Sequence, residues 1–350
     1  MAQNKAGVIL GADTHKRFHT VAVIAETGRE LASASFDASA RGYREALSWA
    51  ESFGEVLRAG IEATGSYGAG LSGHFKKSGL EVLDVYSSDK KRRRLQGKDN
   101  DKDAFQAAQA ALSYTRCASA KDRSGDLEAL RLMESAYGQL VKQRTATINT
   151  LKASLLALQD QTRVRLEELS TAALVKCCAA FRIPKDIECA KDRTKLALRS
   201  LAKTIEALDR EIAVLDKEIE CLARTLLPHT MALKGVGCHG AAKLAGAAGE
   251  NIERMKSEAA FSMLCGTSPI PASTGDTYHH RLNRGGNRAA NCAVHYMALT
   301  RMRHCEKTRA FIAKKMSEGK SKKDAIRSLK RYLAREVFSA LKKDLAPLST

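Results

Sequence analysis

The sequence predicts an α/β plus α protein: a mixed sheet with helices, then a long helical or coiled-coil hairpin, then a mainly helical, basic segment. Three observations predict it. Short apolar runs separated by turn residues fill the chain up to Tyr86. An apolar seam with alternating three- and four-residue spacing runs from Leu198 to Leu222. From Tyr278 to Thr350 there are 18 Lys and Arg against 5 Asp and Glu. The expected divisions are 1–122, 123–227 and 228–350.

The elements follow in order. Val8–Ala12 is a short apolar run that ends at Asp13, and Thr20–Ala25 is a second. Glu26-Thr27-Gly28-Arg29 reads as a hairpin turn into Leu31–Phe36. Arg41–Phe53 has helical spacing. Leu57–Ile61 is another apolar run, ending at Glu62, and Gly65–Lys76 reads as a loop entering a helix. Val82–Tyr86 is a further strand. Three strands, helix, strand, helix, strand is the signature of a mixed α/β sheet.

The seam comprises Leu198, Leu201, Ile205, Leu208, Ile212, Leu215, Ile219 and Leu222, with charged residues on the other faces. Tyr137, Leu140, Ile148, Leu151, Leu155 and Leu158 suggest a partner helix. An antiparallel hairpin within the chain would bury this seam, and so would a dimer. Leu233-Lys234-Gly235-Val236-Gly237, followed by a helix from Gly240, resembles a helix-hairpin-helix turn, which exposes backbone N–H groups to a phosphate. In the final helix, about 322–342, Ile326, Leu329, Leu333 and Val337 face inward. Lys322, Lys323, Lys330, Arg331 and Arg335 line other faces and are expected to meet phosphate.

The formal net charge is +19 and the pI about 9.6, an argument for a polyanionic partner rather than for a fold. Of nine cysteines none forms a CxxC pair, which argues against a structural zinc site and suits a reducing compartment. There is no signal-peptide pattern and no apolar stretch of membrane-spanning length, so a cytoplasmic protein is expected.

Carboxylates mark the candidate chemistry. Asp13 and Glu62 sit where strands end, and Asp103 begins a helix after the basic run Lys90-Lys91-Arg92-Arg93-Arg94. Carboxylate oxygens suit hard Mg²⁺, and two such ions about 4 Å apart can clamp the attacking and leaving oxygens of a phosphodiester. In the segment Pro269–Gly275, Ser273 and Thr274 stand before His279, His280, Arg281, Arg284 and Arg288. A hydroxyl needs activation to become a nucleophile, and nearby cations stabilise a transferring phosphate.

The motifs GADTHK (11–16), IEATGSYG (61–68) and GKDNDKDA (97–104) resemble those of the DEDD transposases of the insertion sequence one-hundred-ten family. GVG (235–237), CGTSPIPASTG (265–275) and HRLNRGGNRAAN (280–291) are similar to that family's second domain. The resemblance spans nearly the whole chain. It implies an RNase H-like (RuvC-like) N-terminal domain whose metal-binding acids match Asp13, Glu62 and Asp103. The family's third acid stands three residues before the last, where this chain has Asn100, flanked by Asp99 and Asp101. Asp99 shares a face with Asp103 if the helix has already begun, Asp101 serves if the segment is irregular, and Asn100 itself offers a carbonyl oxygen.

The resemblance also implies a C-terminal serine nucleophile joined covalently to DNA. In the family that serine directly precedes the glycine. Here Thr274 holds that place, and Ser273 is chosen because a primary hydroxyl is less hindered, with Thr274 as the alternate. Lys91, Arg92, Arg93, Arg94, Arg281, Arg284, Arg288, Lys330 and Arg331 are the expected nucleic-acid contacts. The implied function is Mg²⁺-dependent excision and site-specific insertion of a mobile element by a homo-oligomer (dimer or tetramer) acting on donor and target DNA, guided by a non-coding bridge RNA. A site-specific invertase of the same architecture, a non-enzymatic nucleic-acid-binding derivative and a junction-resolving nuclease are the competing readings.

Overall fold

A computed structural model describes residues 6–86, 99–158, 161–273, 275 and 280–346. The chain divides into two compact units. One is built from residues up to Ser124 together with Gly249–Lys256; the other contains Gly125–Ala248 and Ser257–Pro347. Of the sequence expectations, Lys91, Arg92, Arg93, Arg94 and Thr274 lie outside the described residues.

The first unit is a six-stranded mixed sheet with helices on both faces. Its strands are β1 (Gly7–Thr14), β2 (Phe18–Ala25), β3 (Glu30–Asp37), β4 (Glu55–Glu62), β5 (Glu81–Val85) and β6 (Cys117–Ser119). They are ordered β3-β2-β1-β4-β5-β6; β1 runs antiparallel to β2 and parallel to β4. This arrangement is consistent with an RNase H-like domain. Helices α1 (Ala40–Glu51) and α2 (Ala69–Lys77) contribute to a core with Val8, Leu10, Ala12 and Ile61; α3 (Asn100–Ser113) covers Ile9, Ile24 and Leu83 through Ala108 and Ala111. Because both faces are covered, β1 and β2 read as continuous apolar runs. The three-residue β6 carries too little sequence pattern to be foreseen.

Pleating decides which way the strand-end carboxylates point. Side chains alternate along a strand, so Val8, Leu10 and Ala12 face α1 and α2, while Ile9, Gly11 and Asp13 face α3. The same parity on β4 puts Gly60 and Glu62 on the α3 face and Ala59 and Ile61 on the other. Gly11 and Gly60 let the α3 backbone come close. A Cβ at Gly11 would run into the Ala104 carbonyl, and one at Gly60 into the Ala107 carbonyl.

The second unit is mainly helical. Helices α4 (Gly125–Ser154) and α7 (Ala190–Leu226) form its long pair, with α5 (Gln161–Glu167) and α6 (Thr171–Ala179) between them in sequence. Ile148 and Leu151 pack with Leu198, Ala202 and Ile205, while Arg144 pairs with Asp209 further along α7. That order makes the pair antiparallel, so the heptad seam meets a partner within its own chain. At the middle of the seam Leu208, Ile212 and Leu215 are half-buried.

Short α8 (Pro228–Met231) and α9 (Cys238–Ala248) flank the glycine turn, and α10 (Glu258–Leu264) precedes a hairpin of β7 (Ile270–Pro271) and β8 (His280–Arg281). Helices α11 (Arg288–His304), α12 (Glu306–Ser317) and α13 (Lys322–Leu345) follow. The second helix of the turn thus begins at Cys238, earlier than expected. Asp344 of α13, its side chain fully buried, accepts hydrogen bonds from the backbone N–H of His229 (2.9 Å) and Thr230 (2.8 Å) and from the Thr230 hydroxyl (2.7 Å). It thereby satisfies the orphan donors at the start of α8. No helix among the described residues is long and apolar enough to cross a membrane.

Candidate active site

Asp13 and Glu62 end neighbouring parallel strands. The register pairs Ala12 with Ile61, so the two acids stand just past the last paired positions. The Thr14 hydroxyl donates to the Glu62 carbonyl at 3.0 Å and ties the strand ends together. Asp13 is 7% exposed and Asp103 5%, while Glu62 is half-buried. Asp103 lies on the first turn of α3, next to the Ala104 carbonyl that abuts Gly11. Three acids distant in sequence thus occupy one end and one face of the sheet. His15 Nε2 lies 3.2 Å from Asp13 Oδ2.

Beyond Glu62 the backbone turns sharply. Ala63 adopts φ +53°, and the N–H groups of Ser66 and Gly68 return to its carbonyl. A non-glycine residue at positive φ is strained, and such strain concentrates where side chains must be aimed. Arg123 lies over Gly65, where a Cβ would stand 2.6 Å from its guanidinium.

The acids around Asn100 separate. Asp99 is the N-cap of α3: it is extended (φ −143°, ψ 119°), accepts from the Asp101 N–H at 3.1 Å, and lies 3.7 Å from Lys102. The helix begins at Asn100, directly after Asp99, whose carbonyl accepts the Asp103 N–H at 3.0 Å; Asn100 is three residues before Asp103 within the helix, and Asp101 is exposed. Asp99, Asp101 and Glu62 all line a cleft of about 920 Å³, together with Tyr86 and Arg116.

In the second unit Ser273 is exposed in the loop of the β7–β8 hairpin. The following motif alternates two jobs. Two of its asparagines face inward: Asn283 donates to the Met263 carbonyl at 3.3 Å, and Asn291 donates to the carbonyls of Cys265 (2.7 Å) and Gly266 (3.2 Å). Gly286 packs against Gly266 so closely that no Cβ would fit. Its arginines, Arg281, Arg284 and Arg288, are exposed.

Two family models match the chain: the transposase model DEDD_Tnp_IS110 over residues 10–159 and the Transposase IS116/IS110/IS902 family model over residues 228–313. Together they take in well over half of its residues. The chain belongs to the IS110 family of transposases. As a transposase it acts on DNA. No curated protein matches it.

The donor chemistry of this transposase can be tested against a divalent metal. Among the described residues no three His, Cys, Asp or Glu side chains form a ready metal-binding group. Mg²⁺ does not require one, because it is commonly held by one or two carboxylates, with waters and substrate phosphates completing its octahedron. Asp13 and Glu62, side by side with oxygen ligands only, fit that open kind of site.

Two expected phosphate contacts are engaged elsewhere. Lys330 turns inward, donates to the Asn291 side chain at 2.7 Å, and is held below its ordinary pKa by burial. Arg331 lies 3.6 Å from Glu258, which also pairs with Arg335 at 2.5 Å. The glycine turn is likewise held by protein: Arg301 donates to the Lys234 carbonyl at 2.7 Å, and Gly235 (φ +88°) rests against Met297.

Sequence reasoning missed His15, although its motif was in view. It also missed Arg254, in the segment that returns to the first unit. Burial holds the Arg254 guanidinium below its ordinary pKa despite the nearby Tyr86, Asp84 and Glu250.

Proposed function

We propose that this transposase is a Mg²⁺-dependent DNA strand-transfer enzyme in which Asp13, Glu62 and Asp103 hold the metal and Ser273 is the nucleophile. The observation that carries the reading is the shared end and face of Asp13 and Glu62 on adjacent parallel strands, under the helix that bears Asp103. Asp99, with a second carboxylate oxygen beyond its cap bond, or Asn100 or Asp101, completes the set. Bound metal would neutralise charge on the scissile phosphate.

The remaining chemistry belongs to side chains. Asp13 and Glu62 would hold the ion close to the scissile phosphate, with His15 beside Asp13. The Ser273 hydroxyl loses its proton and its Oγ bonds to phosphorus, while one deoxyribose oxygen leaves and takes a proton. One phosphodiester replaces another, so no external energy source is needed. Reversal onto a second DNA end completes recombination. Exposed Arg281, Arg284 and Arg288 neutralise backbone phosphates around the loop. Thr274 is the alternate hydroxyl. The function is site-specific excision and insertion of a mobile element by a homo-oligomer, with a non-coding guide RNA supplying specificity. The scarcity of aromatic residues, 5% of the chain, supports delegating sequence readout to base pairing.

The test is strand transfer by purified protein with donor DNA, target DNA and co-purified RNA. Asp13→Ala, Glu62→Ala and Asp103→Ala should each abolish Mg²⁺-dependent product while nucleic-acid binding persists. Unchanged product in all three would refute the metal assignment.

A further inference from the structure

We propose that the cleft beside the β7–β8 hairpin holds one unstacked nucleotide of the DNA strand being cut, its phosphate on Arg281, Lys320 and Arg327 and its base between Leu282 and Tyr332. This rests on the strand-cutting role given to the hairpin loop.

The cleft has a volume of about 610 Å³ and lies wholly within the second unit, between the hairpin and the start of α13. That size is within the range of pockets that bury small ligands. Its lining combines the two chemistries a nucleotide needs. Arg281 and Lys320 are exposed cations at its edge. Arg327 is paired with Asp324 at 2.6 Å, but both side chains are about half exposed, and such a solvated pair is weak enough to exchange for a phosphate.

Leu282 and Tyr332 line the same cleft and are each 51% exposed. Phe311 meets the Tyr332 ring at 5.5 Å and 78°, an edge contact that fixes the ring's orientation. An aromatic ring and an aliphatic side chain in one cleft, bordered by cations, offer the surfaces on which proteins hold a base taken out of its stack.

Hydrogen bonds tie the cleft to the neighbouring helices. Lys330 and Asn291 join α13 to α11 and to the Cys265-Gly266 carbonyls. The bond that removes Lys330 from open phosphate contact therefore positions the cleft on which Ser273's hairpin stands.

The experiment uses the full chain and single-stranded DNA carrying iodouracil at successive positions, irradiated and mapped by peptide mass. The expected adduct is on the peptide containing Tyr332. It is retained in Tyr332→Phe and lost in Tyr332→Ala. An Arg281→Ala/Lys320→Ala protein with unchanged circular dichroism should lose about tenfold in yield. Adducts confined to other residues, or a yield unmoved by the double variant, would overturn the proposal. RNA of the same sequence that couples to Tyr332 as well as DNA would overturn the assignment to the cut strand. The readout needs no catalysis. Tyr332 adducts without any serine–DNA linkage would refute the recombination chemistry and keep the cleft; the linkage without Tyr332 adducts would refute the cleft alone.

Discussion

His15 stands beside Asp13: its Nε2 is 3.2 Å from the Asp13 carboxylate, and its ring leans on Phe18 with centroids 5.1 Å apart. A metal-binding carboxylate is usually fixed by a second group, and loss of that group typically costs ten- to a hundredfold in metal affinity. His15→Gln should therefore raise the Mg²⁺ concentration for half-maximal strand transfer by about tenfold. Nucleic-acid affinity should not move. A magnesium titration indistinguishable from that of the unaltered protein would remove His15 from the site.

Gly11 sets the height of α3 above the sheet, because any Cβ there would meet the Ala104 carbonyl. Gly11→Ala must push the helix outward, and Asp103 travels with it. Overpacking of this kind costs about 1–3 kcal/mol. The expected result is a lower melting temperature together with a loss of strand transfer larger than the stability change explains. Activity that falls only as the folded fraction falls would show that α3 can shift without disturbing the acids.

Asp13 and Glu62 were legible because strand ends are marked by the stop of an apolar run, and pleat parity then follows by counting. Asp99 was ambiguous because one residue decides whether a helix has begun, and capping geometry is not written in spacing. The inward turn of Lys330 was hidden for a different reason. In a stretch as basic as α13 nothing local distinguishes a solvated lysine from one that donates to Asn291, 39 residues earlier. The return of Gly249–Lys256 to the first unit was also hidden. It depends on long-range bonds such as Asn251 to the Ala120 carbonyl (2.8 Å) and the Arg123 N–H to Glu250 (3.2 Å). The heptad seam announced a partner, and the antiparallel α4 supplied it.

His239 joins three elements of the second unit. Its Nδ1 is 2.6 Å from Glu134 of α4, its Nε2 is 2.8 Å from Asp216 of α7, and its ring stacks on Tyr137 at 4.1 Å. Lys243 also reaches Glu134, at 3.1 Å. Donation from the imidazole to the Glu134 carboxylate, aided by donation to Asp216, raises the imidazole above its usual 6.5 against the opposing effect of burial. Its stabilising contribution is therefore full below the unfolded value and is lost as pH rises through the raised folded one. His239→Gln should cost about 2 kcal/mol in mild acid, the scale of charge-assisted bonds, and clearly less at alkaline pH. Urea unfolding across that range measures it, and a cost independent of pH would show that the neutral ring serves equally well.

Ser273 is exposed at the end of a hairpin whose base is cross-linked by Asn283, Gly286 and Asn291. That combination presents a hydroxyl on a fixed support, which is what an in-line attack on phosphorus demands. Denatured reaction mixtures should contain protein covalently joined to DNA. Ser273→Ala should remove at least nine-tenths of that adduct, while Thr274→Ala retains most of it. The reverse pattern would transfer the role to Thr274. If DNA cleavage persisted at full rate in the double variant, with no adduct formed by either protein, a water-using nuclease would replace the serine mechanism.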